Sequence, residues 1–119
     1  MRTEAPEDLK VNADVIMVLT SVADRADAER IAASLVAQRL AACVKLSGPV
    51  ESTYRWKGRI ESSQEWQCTI KTLSSRYDAV VEAIRQLHSY EEPEILAVPI
   101  VGGSDSYLHW IADSVRSEP

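Results

Sequence analysis

The sequence contains no phenylalanine, only two cysteines and only four glycines among its 119 residues. Two cysteines without a C-x-x-C pair are too few for a disulfide scaffold and have the wrong spacing for a structural zinc site. The longest apolar runs, such as residues 15–19, fall far short of the roughly 20 residues that a membrane helix needs. The sequence therefore predicts no membrane span and two reduced thiols, Cys43 and Cys68.

An excess of basic residues is also missing. The chain carries 13 lysines and arginines against 18 aspartates and glutamates, which gives a net charge of −5. A nucleic-acid partner is not expected, because such partners require a basic surface. The polar, acidic residues 1–12 do not resemble a secretory signal. Together with the reduced thiols, this start predicts a cytoplasmic protein.

The composition is that of one soluble globular domain, with 45% apolar and 26% charged residues. Residues 1–12 show no apolar period and are predicted to be a flexible extension, followed by a single domain over residues 13–119. The apolar runs at residues 14–21, 42–56, 59–72 and 95–101 predict strands. Three helical periods start near Asp24, Ser74 or Ser75, and Ser104 or Asp105. This order, β-α-β-β-α-β plus a C-terminal helix, predicts a ferredoxin-like α+β fold.

The central hairpin is unusually long. Its two strands each contain about a dozen residues or more, against a usual five or six. Lys57-Gly58 is predicted to form the turn, and Ser47-Gly48-Pro49 a bulge in the first strand. Two helices cannot cover the overhang at residues 50–65, which carries Tyr54 and Trp56. Uncovered aromatic side chains on a hairpin predict assembly with further copies of the chain.

Several short motifs, in one order and spacing over residues 14–115, resemble the CutA divalent-cation-tolerance family. The resemblance implies a ferredoxin-like fold assembled as a homotrimer, similar in architecture to the PII signal proteins. It also implies a cytoplasmic role in tolerance of divalent metals, copper above all, without an accepted catalytic activity. The motifs are Ala41-Ala42-Cys43-Val44, Ser52-Thr53-Tyr54-Arg55-Trp56-Lys57-Gly58, Glu65, Ile70-Lys71-Thr72, His88-Ser89-Tyr90-Glu91-Glu92-Pro93-Glu94-Ile95, Pro99-Ile100, Gly102 and Tyr107-Leu108-His109-Trp110.

The sequence departs from the family at one metal site. Some copper-binding bacterial members place a cysteine at the end of the first strand and two histidines before the Tyr-x-x-Pro motif. Those positions are Thr20, Leu87 and His88 here. Only His88 can ligate copper, so we expect at most a weakly bound Cu(II) or other divalent cation that folding does not require. The alternative is that His88 only caps a helix C-terminus.

A second candidate site is a cleft between subunits. Tyr54, Trp56 and Tyr90 could stack on a planar ligand, or they could be interface anchors, where tyrosine and tryptophan are enriched. Glu91 and Glu94 belong to an acidic loop that either gathers cations or is simply solvated. Lys71 lies on a central strand and is expected to pair with Glu65 or Glu94 if it points inward.

The functional expectation is therefore a non-enzymatic homotrimer that responds to divalent metals, with an unknown protein partner. The alternative is a PII-like signalling module that binds a nucleotide or anion, for which the basic turn at Arg55–Arg59 gives modest support. Catalysis is not expected, because the sequence contains no P-loop, no nucleophile elbow and no glycine in the loop after the first strand.

Overall fold

The computed structural model describes residues 14–116, so the predicted extension at residues 1–12 lies outside the described residues. Residues 14–116 form four strands and three α-helices in the predicted order. A short 3-10 turn, Ser74–Arg76, precedes the second helix. The elements are β1 (Val15–Val22), α1 (Arg25–Ala37), β2 (Cys43–Trp56), β3 (Arg59–Leu73), α2 (Tyr77–Leu87), β4 (Leu96–Pro99) and α3 (Asp105–Ser114).

The four strands form one antiparallel sheet in the order β2-β3-β1-β4, which confirms the ferredoxin-like prediction. The continuous apolar run of β1 pairs with β3 on one side and with β4 on the other. β4 is an edge strand, as Pro99 predicts, because proline has no backbone N–H to donate to a further strand. It is shorter than the predicted 95–101.

Helices α1 and α2 cover one face of the sheet, which we call the helix face. Alternate residues of β1 and β3 point to this face and are buried against one side of each helix. Asp24 begins α1, as predicted, although its side chain makes no capping hydrogen bond. The buried cluster contains Ile16, Val18, Val22, Ala28, Ile31, Leu35, Ala41, Cys68, Ile70, Val80, Ala83 and Ile84.

The opposite face of the sheet, which we call the open face, is covered only at one end. There α3 packs Leu108, Ile111 and Val115 against Val15 of β1. Arg76 holds the end of this helix, because its Nε and Nη2 donate to the Val115 carbonyl oxygen at 2.9 and 2.6 Å. At the other end of α3, Ser104 accepts the Tyr107 N–H at 3.4 Å, as the predicted cap should.

A bulge in β2 changes which side chains reach the open face. Ser47 pairs with Gln67, but Val50 pairs with Glu65, so β2 contains one extra residue here. A Cβ on Gly48 would lie 3.0 Å from the Glu65 carbonyl oxygen and 3.0 Å from the Trp66 ring, which is why glycine is needed. After the extra residue, the even-numbered side chains of β2 share the face of Glu65.

The two cysteines are both free, as predicted, and they are not cross-strand neighbours. Burial raises the pKa of the Cys68 thiol to about 11. Cys43 is only half-buried and faces Tyr107 across the open face, with Sγ 3.9 Å from the Tyr107 hydroxyl. Cys43 is therefore not part of the buried cluster on the helix face. None of the helices in residues 14–116 is long and apolar enough to cross a membrane.

Two buried threonines on the helix face give a test of the packing. Thr72 donates its hydroxyl to the Leu40 carbonyl at 2.7 Å, whereas the Thr20 hydroxyl has no hydrogen-bond partner among the described residues. An unsatisfied buried polar group costs about 1–3 kcal/mol. We expect Thr20→Val to raise the free energy of unfolding by about 1 kcal/mol and the matched Thr72→Val to lower it by about as much. Urea unfolding at a fixed protein concentration measures both, and equal losses would contradict this account.

Candidate functional site

A cleft of about 630 Å³ opens on the open face, between the tip of the central hairpin and the loop that follows α2. Five of the six predicted cleft residues line it. Sequence reasoning did not place the remaining lining residues there. The cleft is lined by Ser21, Ser52, Tyr54, Trp56, Glu65, Ser89, Tyr90, Glu91, Glu92, Pro93 and Glu94.

The hairpin supplies two aromatic rings to the cleft. Tyr54 and Trp56 are about 43% and 39% exposed, and the Tyr54 hydroxyl lies 3.2 Å from Ser63 Oγ on the paired strand. The predicted turn forms at Lys57 and Gly58, both with positive φ (51° and 80°), as a two-residue type I′ turn requires. This tight turn holds the end of β2 against β3, so Tyr54 and Trp56 belong to a part of β2 that is paired with β3.

Glu65 is the most buried of the four glutamates that line the cleft. It is only 9% exposed, and its Oε2 accepts a hydrogen bond from the Tyr90 hydroxyl at 2.8 Å. No basic side chain among residues 14–116 forms an ion pair with it. Burial, and then the hydrogen bond to the Glu65 carboxylate, raise the pKa of the Tyr90 phenol above its usual range. The loop is thereby tied across the sheet to β3.

His88 ties the same loop to β1. Its Nδ1 accepts the Tyr90 backbone N–H at 3.1 Å, and its Nε2 lies 2.8 Å from the Ser21 carbonyl oxygen. A neutral imidazole with its proton on Nε2 satisfies both contacts. His88 thus follows α2, as predicted. The Ser21 carbonyl that it contacts lies past Leu19, the last residue of β1 that pairs with β4.

Lys71 does not belong to the cleft, so its predicted position and its predicted partners are wrong. Its Nζ donates to the Tyr107 hydroxyl at 3.4 Å and lies 5.4 Å from the centre of the Tyr107 ring. The side chain does share the open face with Glu65. However, six residues of extended strand separate them, which is about 20 Å.

The described residues of one chain do not fit a tight metal centre. No group of three or more histidine, cysteine, aspartate or glutamate side chains within residues 14–116 is arranged to hold an ion. Both nitrogens of His88 are engaged, so a metal ion would have to displace one of its hydrogen bonds. Glu91 and Glu94 line the cleft but belong to no such group among these residues.

These observations define a class: a small ferredoxin-like α+β protein with an acidic, aromatic cleft on its open sheet face. Residues 16–114 match the CutA1 divalent ion tolerance protein family. The Pectobacterium atrosepticum divalent-cation tolerance protein CutA is 40% identical over 103 residues, covering 87% of this chain and 94% of its own. The crystal structure of CutA from Xylella fastidiosa superposes with a TM-score of 0.84 at 40% identity, covering 87% of this chain and 99% of that one. The chain belongs to the CutA1 divalent ion tolerance family.

The predicted cytoplasmic location is contradicted by these relatives. The Arabidopsis thaliana relative, 39% identical over 102 residues and 86% of this chain, is named chloroplastic. A structural relative from Archaeoglobus fulgidus, 34% identical over 86% of this chain and 99% of its own with a TM-score of 0.83, is named periplasmic. The chain spans 56% of the length of that plant protein. Two free cysteines exclude a disulfide scaffold but do not determine a compartment.

Tyr90→Phe tests the link between loop and sheet. The variant leaves the Glu65 carboxylate without its donor, so we expect it to lose about 1–2 kcal/mol of the free energy of unfolding. The phenol pKa is higher in the folded state than the roughly 10 of an unfolded chain. The stability that the Tyr90 phenol contributes is therefore complete below about pH 10. It declines as the pH rises towards the pKa of the phenol in the folded state.

Denaturant unfolding between neutral and alkaline pH measures this contribution. Tyr90→Phe should weaken the alkaline decline of stability. Tyr54→Phe removes a hydroxyl from the same cleft at an exposed position and should change stability by about 0.5 kcal/mol or less. Equal stability of Tyr90→Phe and the wild type would contradict the role of this hydrogen bond.

Proposed function

We propose that this protein acts in tolerance of divalent cations, copper among them, as a non-enzymatic homotrimer. Its clefts, completed at the boundaries between subunits, would bind a cation weakly or another small ligand. The observation that carries the proposal is membership of the CutA1 family, which is named for divalent ion tolerance and not for a reaction. Any protein partner is a further expectation of the same proposal.

The open face supports assembly. Residues paired across an antiparallel ladder point to the same side of the sheet, so Leu96 and Val98 share the face of Leu19 and Met17. Tyr107 and Trp110 of α3 lie at the other end of this face, with ring centres 5.4 Å apart. Exposed apolar side chains that cluster on one face of a protein mark an interaction surface. Among residues 14–116, the large apolar side chains that are exposed, on either face, are Val36, Tyr54, Trp56, Ile60, Leu96, Val98, Val101, Tyr107 and Trp110.

Assembly would also explain how a family linked to cations works without a tight centre in one chain. A neighbouring subunit could bring a carboxylate such as Glu91 towards His88, which then would not have to ligate alone. Carboxylate and one imidazole are modest donors for Cu(II) compared with thiolate and paired imidazoles. The proposal is therefore weak, reversible cation binding.

A PII-like module that binds a nucleotide is the alternative function. The cleft does not favour it, because four glutamates line the cleft and would repel phosphates. Lys57, one of the three basic residues of the turn, lies 3.9 Å from Glu91 Oε1.

Light scattering in dilute neutral buffer tests the trimer. We expect about three times the 13.2 kDa of one chain. Trp56→Ala should weaken assembly by about 2 kcal/mol per contact, because a large aromatic side chain at an interface centre contributes about that much. Val36→Ala is the matched control, since Val36 is similarly exposed but lies on α1, which covers the helix face. A stable, folded 13.2 kDa species at low micromolar concentration would contradict the proposal.

Calorimetric titration with Cu(II), Zn(II) and Ni(II) tests the cation site. We expect Cu(II) to bind with a Kd of about 1 μM or weaker, because one imidazole and carboxylates form a poor donor set, and His88→Ala should abolish it. Urea unfolding of His88→Ala must show that the variant is folded, since it loses two hydrogen bonds. Nanomolar Cu(II) binding that survives His88→Ala would place the metal elsewhere, with Cys43 the first residue to replace.

A further inference from the structure

We propose that the tip of the central hairpin docks onto an anionic lipid surface, with Ile60 buried at the edge of the acyl layer and the basic side chains around it on the lipid headgroups. We call Arg55, Lys57, Arg59 and Ile60 the tip patch. None of these residues lines the cleft. The inference therefore goes beyond the proposed function and assigns a partner to the basic turn.

The tip patch lies on a part of the hairpin that extends past the rest of the sheet. Trp66 is the last residue of β3 that pairs with β1, and residues 59–65 of β3 pair only with β2. At about 3.3 Å per residue, the turn lies about 23 Å beyond the end of β1. All residues from 53 to 62 are exposed. The tip can therefore reach a surface that the helices do not touch.

Ile60 supplies the apolar part of the patch. At 70%, it is the most exposed of the large apolar side chains in residues 14–116. Ile60 pairs with Arg55, so both side chains point to the side of the hairpin that continues the helix face. Assembly through the open face would leave this side uncovered. Burial of Ile60 in a lipid interface would remove apolar area from water, which no contact within the described chain does.

The charge of the tip patch is opposite to that of the whole molecule. Residues 55–60 carry three basic residues and no acidic one, whereas the chain has a net charge of −5. The ion pairs within residues 14–116 involve neither Arg55 nor Arg59. Lys57 lies 3.9 Å from Glu91, but the two side chains are 70% and 76% exposed, so this pair is weak. All three cations are available to anionic headgroups, each of which strengthens binding about fivefold.

The composition of the patch favours a lipid surface over a nucleic acid. A duplex carries phosphates along its whole length, and the chain outside the tip patch has a net charge of −8 (−5 − 3), which repels them. The aliphatic side chain of Ile60 cannot stack on bases as an aromatic ring does. A lipid surface, in contrast, buries an aliphatic group and can be contacted by the tip alone.

Co-sedimentation of the full chain with lipid vesicles tests the inference. We expect binding to vesicles of equimolar phosphatidylcholine and phosphatidylglycerol and none to phosphatidylcholine alone, because only the first surface is anionic. Raising NaCl from about 0.1 to about 0.5 M should weaken binding about tenfold, since salt screens the headgroup charges. Duplex DNA that binds as tightly as the anionic vesicles would reveal a contact with any polyanion and would overturn the inference.

Two pairs of variants locate the contact. Arg55→Gln should weaken vesicle binding about fivefold, whereas Arg85→Gln makes the same change on α2 and should leave binding unchanged. Ile60→Thr keeps a branched side chain and all three charges but removes apolar area, so we expect at least about threefold weaker binding. Val36→Thr is its control on α1. Equal binding by Ile60→Thr and Val36→Thr would mean that charge alone attracts the protein, which overturns the inference.

Light scattering of the same samples without vesicles separates this inference from the proposed function. All four variants should keep the mass of the wild type, because Arg55 and Ile60 point away from the open face. A trimer that does not bind anionic vesicles overturns the inference and leaves the proposed function standing. A monomer that binds them through Arg55 and Ile60 supports the inference and contradicts the proposed assembly.

Discussion

One extra residue in β2 determines which side chains form the cleft. Without the bulge at Gly48, alternation along the strand would direct Tyr54 and Trp56 to the helix face, on the opposite side of the sheet from Glu65. After Ser47, the bulge exchanges the faces to which the odd- and even-numbered side chains of β2 point. The regular pairing of β2 with β3 keeps this exchanged order up to the hairpin tip. The cost is a close contact, since β3 passes so near Gly48 that a side chain there would meet Trp66.

The second constraint is the attachment of the loop after α2. This loop has to pass from the helix face, where α2 ends, to the edge of the open face, where β4 begins. His88 holds it to the Ser21 carbonyl of β1, and Tyr90 holds it to Glu65 of β3. Because both contacts are hydrogen bonds to β-strands, the glutamates of the loop are positioned by the sheet and not by the loop alone. The same contacts occupy the imidazole that would otherwise be the best single donor for a metal ion.

The sequence predicts most of this fold because its patterns are local. The apolar run of β1, the turn residues at Lys57 and the bulge at Gly48 each have a physical cause within a few neighbouring positions. The cleft was predicted in part for the same reason, since Tyr54 and Trp56 alternate on one strand. Glu65 was not placed there, and Lys71 was placed there wrongly, because the point at which the loop crosses the sheet is a long-range property. Glu65 and Lys71 share one face of the sheet. Only the structure shows that Tyr90 contacts Glu65 and that Tyr107 contacts Lys71.

The hairpin tip connects the proposed assembly with the proposed ligand. Tyr54 and Trp56 line the cleft and also belong to the exposed apolar surface that assembly would cover. A ligand that lies against these rings changes the free energy of packing a neighbouring subunit on them, and by thermodynamic linkage the neighbouring subunit changes the affinity for the ligand by the same factor. In the proposed assembly, weak sites of this kind would couple ligand binding to subunit packing through the same side chains. The protein would then not need a tight cation centre in each chain.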